Sequence, residues 1–164
     1  MQGQNYSDEK QPEALYLRQG DQIVEANADD LAVARLYPEW PDKGLVIDGR
    51  RITILSKMGR YRVNEEVRVI HVMEATLPGN EIYVMGPKPI SDEYINGRLQ
   101  GEGMPSITAD PFVPEEYDGR VIDSPATDYN FDITIYSFEQ PGTYNICWQP
   151  GNWKSNTLEI LVLE

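Results

Sequence analysis

Few side chains in this 164-residue chain are suited to acid–base or nucleophilic chemistry. It contains one histidine, His71, and one cysteine, Cys147. A nucleophilic pair would need the thiol and the imidazole within hydrogen-bond reach of each other, and nothing in their spacing requires that. His71 lies in the middle of an apolar run, residues 67–73, which is typical of a fixed, buried side chain. We therefore predict that the protein is not an enzyme, and we assign no catalytic residue.

A copper site is excluded by the same residue count. Residues 141–147 read Pro-Gly-Thr-Tyr-Asn-Ile-Cys, which resembles the strand before the copper loop of cupredoxins. A blue-copper centre requires two histidines together with the cysteine and a weak axial ligand. This chain has a single histidine, which precedes Cys147. The sequence thus predicts no copper and, more generally, no cofactor.

A calcium loop of the EF-hand type is also excluded. Asp92, Asn96 and Gly97 match part of the EF-hand loop pattern. However, Tyr94 occupies the third position of the loop, and Gly103 occupies the position that needs a bidentate glutamate. We predict no metal site of this type. One alternative stays open, which is a looser oxygen cage drawn from acidic residues further along the chain. Its candidate ligands are Asp110, Asp118, Asp123 and Asp128.

The charge of the chain limits the classes of partner. There are 27 acidic and 14 basic residues, which gives a formal charge of −13 and a pI near 4.4. Nucleic acid is disfavoured, because affinity for its backbone comes mainly from Lys and Arg on phosphate. A basic partner, a divalent cation or simple solubility would each suit the charge. No apolar run approaches the ~20 residues of a membrane-spanning helix, so we predict no transmembrane segment.

Strand periodicity is clearest in the last third of the chain. Apolar residues alternate with polar ones along residues 129–138, 143–149 and 157–163, which is the period of a half-buried strand. Short turns separate the three runs. We therefore expect three consecutive strands in one antiparallel meander and an all-β fold.

The start of the second run resembles one part of immunoglobulin-like domains. Gly142, Tyr144 and Ile146 match the G-x-Y-x-C spacing at the entry to strand F of that family. The resemblance implies an antiparallel two-sheet sandwich in which Tyr144 is the corner tyrosine, buried and bonded through its hydroxyl to the backbone before it. Ile146 replaces the family's cysteine, so the inter-sheet disulfide is absent.

The remaining patterns suggest how the chain is organised. Residues 67–73 are apolar on both faces, which favours a central strand covered on both sides. We expect a flexible polar tail at 1–12, a sandwich at 49–164 and, between them, a segment at 13–48 that packs on the sandwich. That segment would form a hairpin around Gly20–Asp21 and a short helix capped by Asn27. The polar tail favours an exported protein, whether periplasmic, surface-tethered or secreted, with a cytoplasmic one as the alternative.

The segment 86–128 breaks the regular pattern. It holds six of the 12 prolines, and its nine acidic and three basic residues give a net charge of −6. Long loops inside compact domains are uncommon and are often functional. The alternative is that the segment conceals short edge strands, for example across Asn96–Gly97, a pair typical of tight hairpins. On the loop hypothesis, residues 91–103 could be replaced without unfolding the domain.

These observations favour a non-enzymatic binding or interaction module that acts through its end loops and the segment 86–128, with a protein or glycan partner. A carbohydrate-binding sandwich is one alternative, since loop aromatics can stack on sugars, although such rings also commonly pack over the ends of a fold. An acidic inhibitor or immunity-type protein that masks a basic partner is another. The candidate binding residues are Tyr94, Asn96, Phe112, Tyr117 and Trp153.

Overall fold

The computed structural model describes residues 12–80, 82–84, 87–101 and 120–164. These residues are mainly in β-strands, so the predicted all-β class is confirmed. The strands are β1 (Tyr16–Gln19), β2 (Gln22–Glu25), β3 (Arg50–Leu55), β4 (Arg60–Arg62), β5 (Val67–Ala75), β6 (Ile82–Val84), β7 (Glu93–Ile95), β8 (Arg98–Gln100), β9 (Arg120–Ile122), β10 (Ala126–Asp128), β11 (Thr134–Tyr136), β12 (Gly142–Trp148) and β13 (Leu158–Leu163). The helices are α1 (Ala28–Ala34) and a 3₁₀ turn (Tyr37–Glu39). Neither helix is long and apolar enough to cross a membrane.

The first sheet is built on β5, as the two-sided apolar pattern predicts. One edge of β5 pairs with β3, and the other edge pairs with β11 and then with β10, all antiparallel. Val69 and Met73 are buried on one face of β5, and Ile70 and Val72 on the other. Because both faces are covered, alternation with polar residues is unnecessary along this strand.

The second sheet has the order β4-β13-β12-β7-β8. Strands β12 and β13 pair antiparallel, as expected, and β4 joins β13 in parallel. The predicted three-strand meander is wrong, because β11 belongs to the first sheet and the second neighbour of β12 is β7. Within the first run, Tyr129 and Phe131 enter different cores, and Ile135 remains 41% exposed. Alternation fixes which side chains share a face of a strand, but it does not fix the neighbouring strand.

The two sheets enclose the main core, and the N-terminal segment covers the outer face of the first sheet. Ile52, Met73, Ile146 and Ile160 are among the fully buried residues between the sheets. On the outer face, hairpin and helix residues pack over β3 and β5. This second cluster includes Leu15, Leu17, Val33, Ala34, Tyr37, Leu55, Ile70, Val72, Tyr129 and Ile133.

The N-terminal elements form where local signals predict them. The β1–β2 hairpin turns at Gly20, whose φ of 61° suits glycine. Asn27 accepts a hydrogen bond from the backbone N–H of Asp30 at 2.8 Å, which caps α1 as predicted. The start of the helix is therefore fixed, and the acidic residues of its first turn take defined positions.

Tyr144 makes the kind of hydrogen bond that the resemblance implies. The hydroxyl of Tyr144 donates to the carbonyl of Gln140 at 2.8 Å. Its ring stacks on Phe138 with centroids 3.9 Å apart, and it is half-buried instead of buried. The described residues support packed antiparallel β-sheets compatible with a sandwich.

The segment 86–128 contains part of the second sheet. Asn96 and Gly97, with φ values of 50° and 81°, form the tight turn between β7 and β8. Strand β7 lies between β12 and β8, with Glu93 and Ile95 buried. The hairpin alternative is therefore correct, and the expectation that residues 91–103 are dispensable is contradicted: replacing them would remove an inner strand. Residues 102–119 lie outside the described part.

Candidate functional site

A groove of about 220 Å³ lies between α1 and the beginning of β5. Its floor is apolar and is formed by Val33 of α1, Ile70 of β5 and Tyr61 of β4, all buried. Burial raises the pKa of Tyr61 further above neutral pH, and its hydroxyl accepts the backbone N–H of Met58 at 3.3 Å. The floor can therefore contact an aliphatic or aromatic group without burying an unpaired charge of its own.

One wall of the groove is a two-pronged ion pair between α1 and β5. Nε and Nη2 of Arg68 each lie 2.9 Å from an oxygen of Asp30, whose side chain is buried. Arg68 also donates to Glu66 at 3.1 Å. Hydrogen bonds to Asp30 are the main cause that raises the pKa of Arg68. This pair fixes the helix on the sheet and neutralises the innermost acid of the groove.

The mouth of the groove is acidic and open to solvent. Asp29 and Glu66 each have side chains 65% exposed, and Glu65 is exposed beside them. Lys57 is paired with Asp29 at 2.9 Å but is itself 57% exposed, and such surface pairs are weak. With Asp30 and Arg68 included, the lining carries four carboxylates and two cations, a net charge of −2. An incoming cation would therefore find exposed carboxylates above an apolar floor.

Three of the residues selected from the sequence lie in the described part of the chain, and none of the three lines this groove. Tyr94 is half-buried in β7, and the side chain of Asn96 accepts the backbone N–H of Asn145 at 2.9 Å. Trp153 is only 9% exposed, and its indole N–H donates to Ile47 at 2.8 Å. Trp153 thus packs against the core, as the packing alternative for loop aromatics states. Phe112 and Tyr117 lie outside the described residues.

The single histidine is part of a buried ion pair that joins the two sheets. Nε2 of His71 in β5 lies 2.6 Å from Oε2 of Glu93 in β7, with side-chain exposures of 0% and 2%. The other oxygen of Glu93 accepts the hydroxyls of Thr134 and Tyr136. Cys147 contacts Ser155 instead of this network. Both side chains are shielded from solvent, and their hydrogen bond links the two sheets.

The hydrogen-bond partners limit where the hydrogens of this pair can lie. Nδ1 of His71 faces the carbonyl of Asp132 at 3.0 Å, and a carbonyl can only accept, so Nδ1 must carry a hydrogen. Burial raises the pKa of Glu93, but attraction to His71 and the bonds from His71, Thr134 and Tyr136 outweigh burial, so the pKa is lowered overall. A lowered pKa keeps Glu93 ionised, and a carboxylate can only accept, so Nε2 of His71 is expected to carry a hydrogen as well.

A second buried pair occupies one of the acidic residues considered for calcium. Nζ of Lys88 lies 2.8 Å from Asp128, and both side chains are buried. The ammonium also lies 5.0 Å from the ring centroid of Phe131. In the described ranges no group of three or more His, Cys, Asp or Glu residues is arranged to hold a metal ion. Asp110 and Asp118 lie outside those ranges.

Sequence reasoning found parts of these sites but not their assembly. The acidic residues at the start of α1 and the turn at 64–65 can be recognised in the sequence. Only the folded chain brings them together in one groove. One weak feature of the sequence indicates that Glu93 is buried: it lies two residues before the buried Ile95, on the same face of β7. No family description, curated protein or solved structure matches this chain.

Proposed function

We propose that this protein is a non-enzymatic interaction module that binds a basic protein, with an arginine or lysine side chain of the partner entering the groove beside α1. The observation that carries the proposal is the pair of exposed carboxylates, Asp29 and Glu66, above the apolar floor of Val33 and Ile70. Arginine and lysine have apolar stems and charged heads. The apolar stem would lie on the apolar floor, and the charged head would meet the carboxylates at the mouth.

The size of the groove supports one side chain as its occupant. Its volume of about 220 Å³ leaves room for one long side chain. A guanidinium would make paired hydrogen bonds with carboxylate oxygens. Lys57 is exposed and attached to a flexible stem, so it can leave Asp29 when the partner's cation arrives.

The charge of the whole chain supports the same partner. A formal charge of −13 attracts a basic protein over long range and speeds association, and salt weakens this effect. The acidic groove and the negative charge together favour the acidic inhibitor-like alternative over the others considered from the sequence. Carbohydrate binding has no comparable support among the described residues, where Trp153 is buried and the rings of Tyr37 and Tyr129 meet edge to face at 86°.

The finer fold proposal is an immunoglobulin-like sandwich. Its support is the hydrogen bond from Tyr144 to Gln140, together with the passage of the chain from β11 in the first sheet to β12 in the second just before that tyrosine. In such a sandwich, loops and edge elements carry recognition while the paired strands supply rigidity. The groove lies at such an edge, between β4–β5 and the added helix.

The test uses a minimal probe, N-acetyl-arginine amide, with amide NMR shifts as the readout. Saturable shifts are expected at residues of α1, β4 and the start of β5, and they should weaken as salt is added. The neutral probe N-acetyl-citrulline amide should leave these signals in place. The double variant Asp29→Asn/Glu66→Gln should lose binding. Asp123→Asn removes one exposed charge near the opposite end of β5 and should bind normally.

Two outcomes would overturn the proposal. Arginine and citrulline probes that bind equally would remove the role of charge. Shifts that persist in the double variant would place the cation elsewhere on this acidic surface. Both variants change exposed side chains, so circular dichroism should be unchanged and binding can be read without a change in fold.

A further inference from the structure

A second cleft, of about 190 Å³, lies over the other end of the first sheet. Its base is a cross-strand row in which Glu74 of β5 pairs with Arg51 of β3 on one side and Thr127 of β10 on the other. Tyr37 and Lys43 from the N-terminal segment form the opposite wall. The groove beside α1 shares none of these residues, so the two sites can be tested separately.

The base of the cleft is held in one arrangement by hydrogen bonds. Oε1 of Glu74 accepts the hydroxyl of Tyr37 at 2.5 Å and Nε of Arg51 at 3.0 Å. Burial, followed by the bond to Glu74, raises the pKa of Tyr37 far above its ordinary value, so the phenol remains a donor. Glu74 accepts from Nε of Arg51 and is itself held by the hydroxyl of Tyr37, so the bond to Glu74 orients the guanidinium before a ligand arrives.

Two cations in this cleft retain donor capacity. Arg51 has five N–H donors, and among the described residues only Glu74 accepts from it, at Nε. Lys43 donates to the carbonyls of Pro38 at 3.2 Å and Trp40 at 2.9 Å, which uses two of its three hydrogens. Its ammonium lies 4.9 Å from the ring centroid of Tyr37. Lys43, Arg51 and Glu74 sum to a charge of +1, in a chain whose formal charge is −13.

We propose that this cleft binds a carboxylate group, held by the free Nη edge of Arg51 and by Nζ of Lys43, with the hydroxyl of Thr127 as a further donor. A carboxylate is planar and matches the guanidinium fork. The single net positive charge and the neighbouring Glu74 disfavour a doubly charged phosphate. The acidic residues elsewhere on the chain repel anions, so non-specific anion binding should be weak. Chemical-shift changes confined to this cleft would therefore indicate specific binding there.

The carboxylate could belong to a free organic acid or to an acidic side chain of a peptide. Two probes separate these sources: glutarate and N-acetyl-glutamate amide. Amide NMR titration of the whole chain should show shifts around Tyr37, Lys43, Arg51 and Glu74, with a Kd of about 1 mM or below for the probe of the correct type. Glutaramide, which has the same shape without charge, should give no shifts there.

Substitutions of the two cations test whether they bind the carboxylate. Arg51→Met and, independently, Lys43→Met should each weaken probe binding by at least about tenfold. Lys57→Met removes a partly exposed cation from the other groove and should leave carboxylate binding unchanged. If Arg51→Met fails to fold, Lys43→Met still decides the question, because the hydrogen bonds of Lys43 in the described structure go to backbone carbonyls and not to Glu74.

The proposal is overturned if neither acid shifts these amides, if glutaramide acts like glutarate, or if both variants bind as the parent does. The outcome is independent of the basic-partner proposal. Loss of carboxylate binding in Lys43→Met with normal binding of the arginine probe would support two separate sites. A failure of the arginine probe would leave the cleft result unaffected.

Discussion

The buried pair of His71 and Glu93 gives the sharpest prediction about stability. Glu93→Ala leaves the imidazolium and the hydroxyls of Thr134 and Tyr136 without their acceptor in a site that excludes water. Removing one partner of a buried ion pair costs about 3–5 kcal/mol, against a total stability of about 5–15 kcal/mol for an ordinary domain. We therefore expect Glu93→Ala to be unfolded or nearly so.

Glu93→Gln is the matched control, because it keeps the shape of the side chain. The amide oxygen can still accept from Thr134 and Tyr136, and the amide nitrogen can donate to Nε2 of His71. The histidine then becomes neutral, with its one hydrogen on Nδ1 facing Asp132. The cost is the difference between charged and neutral hydrogen bonds, about 1–2 kcal/mol. Urea unfolding followed by circular dichroism at pH 7 measures both variants.

The charge state can be observed directly, because the chain has one histidine and its ring signals need no assignment. Nitrogen NMR should show both ring nitrogens of His71 protonated at pH 7 in the parent. In Glu93→Gln, Nε2 should have lost its hydrogen. A parent spectrum with an unprotonated Nε2 would put the proton on Glu93 and refute the ion pair. Equal destabilisation by Ala and Gln would refute the hydrogen-bond reasoning.

The same pair predicts the direction of acid sensitivity. Burial alone would raise the pKa of Glu93, but His71 and the three hydrogen bonds lower it overall. A lowered folded-state pKa means that the stabilisation is complete above the unfolded pKa, about 4.3, and is lost as the pH falls through the folded value. The parent should lose stability below about pH 4, and Glu93→Gln should show a shallower loss over that range. An identical acid profile would contradict this.

The remaining predictions concern packing and the groove wall. Gly44→Ala should prevent normal folding, because its Cβ would lie 2.0 Å from the carbonyl oxygen of Ile52, whereas Gly59→Ala, with its nearest neighbour 4.0 Å away, should not; thermal unfolding of both proteins compares them. Asp30→Ala removes the buried partner of Arg68, which stays partly exposed and keeps Glu66, so it should lower the free energy of unfolding by about 1–3 kcal/mol. Asp29→Ala, which breaks only an exposed pair, should unfold at the same urea concentration as the parent.

The sequence by itself determined the local structure. Alternating residues located β12 and β13, the Asn-Gly pair located the β7–β8 turn, and Asn27 marked the start of α1. These signals act over a few residues, through side-chain period, positive φ and capping hydrogen bonds. The central position of β5 also followed from sequence, because a strand apolar on both faces must be covered on both.

Only the tertiary structure decided which strands and side chains meet. It assigned β11 to β5 instead of β12, paired His71 with Glu93, and brought the acids of α1 beside the β4–β5 turn. A glutamate that will be buried has the same local sequence signal as a solvated one. What distinguishes it is a partner 22 residues away, because the cost of burying a charge is offset by contacts that exist only once the sheets have packed.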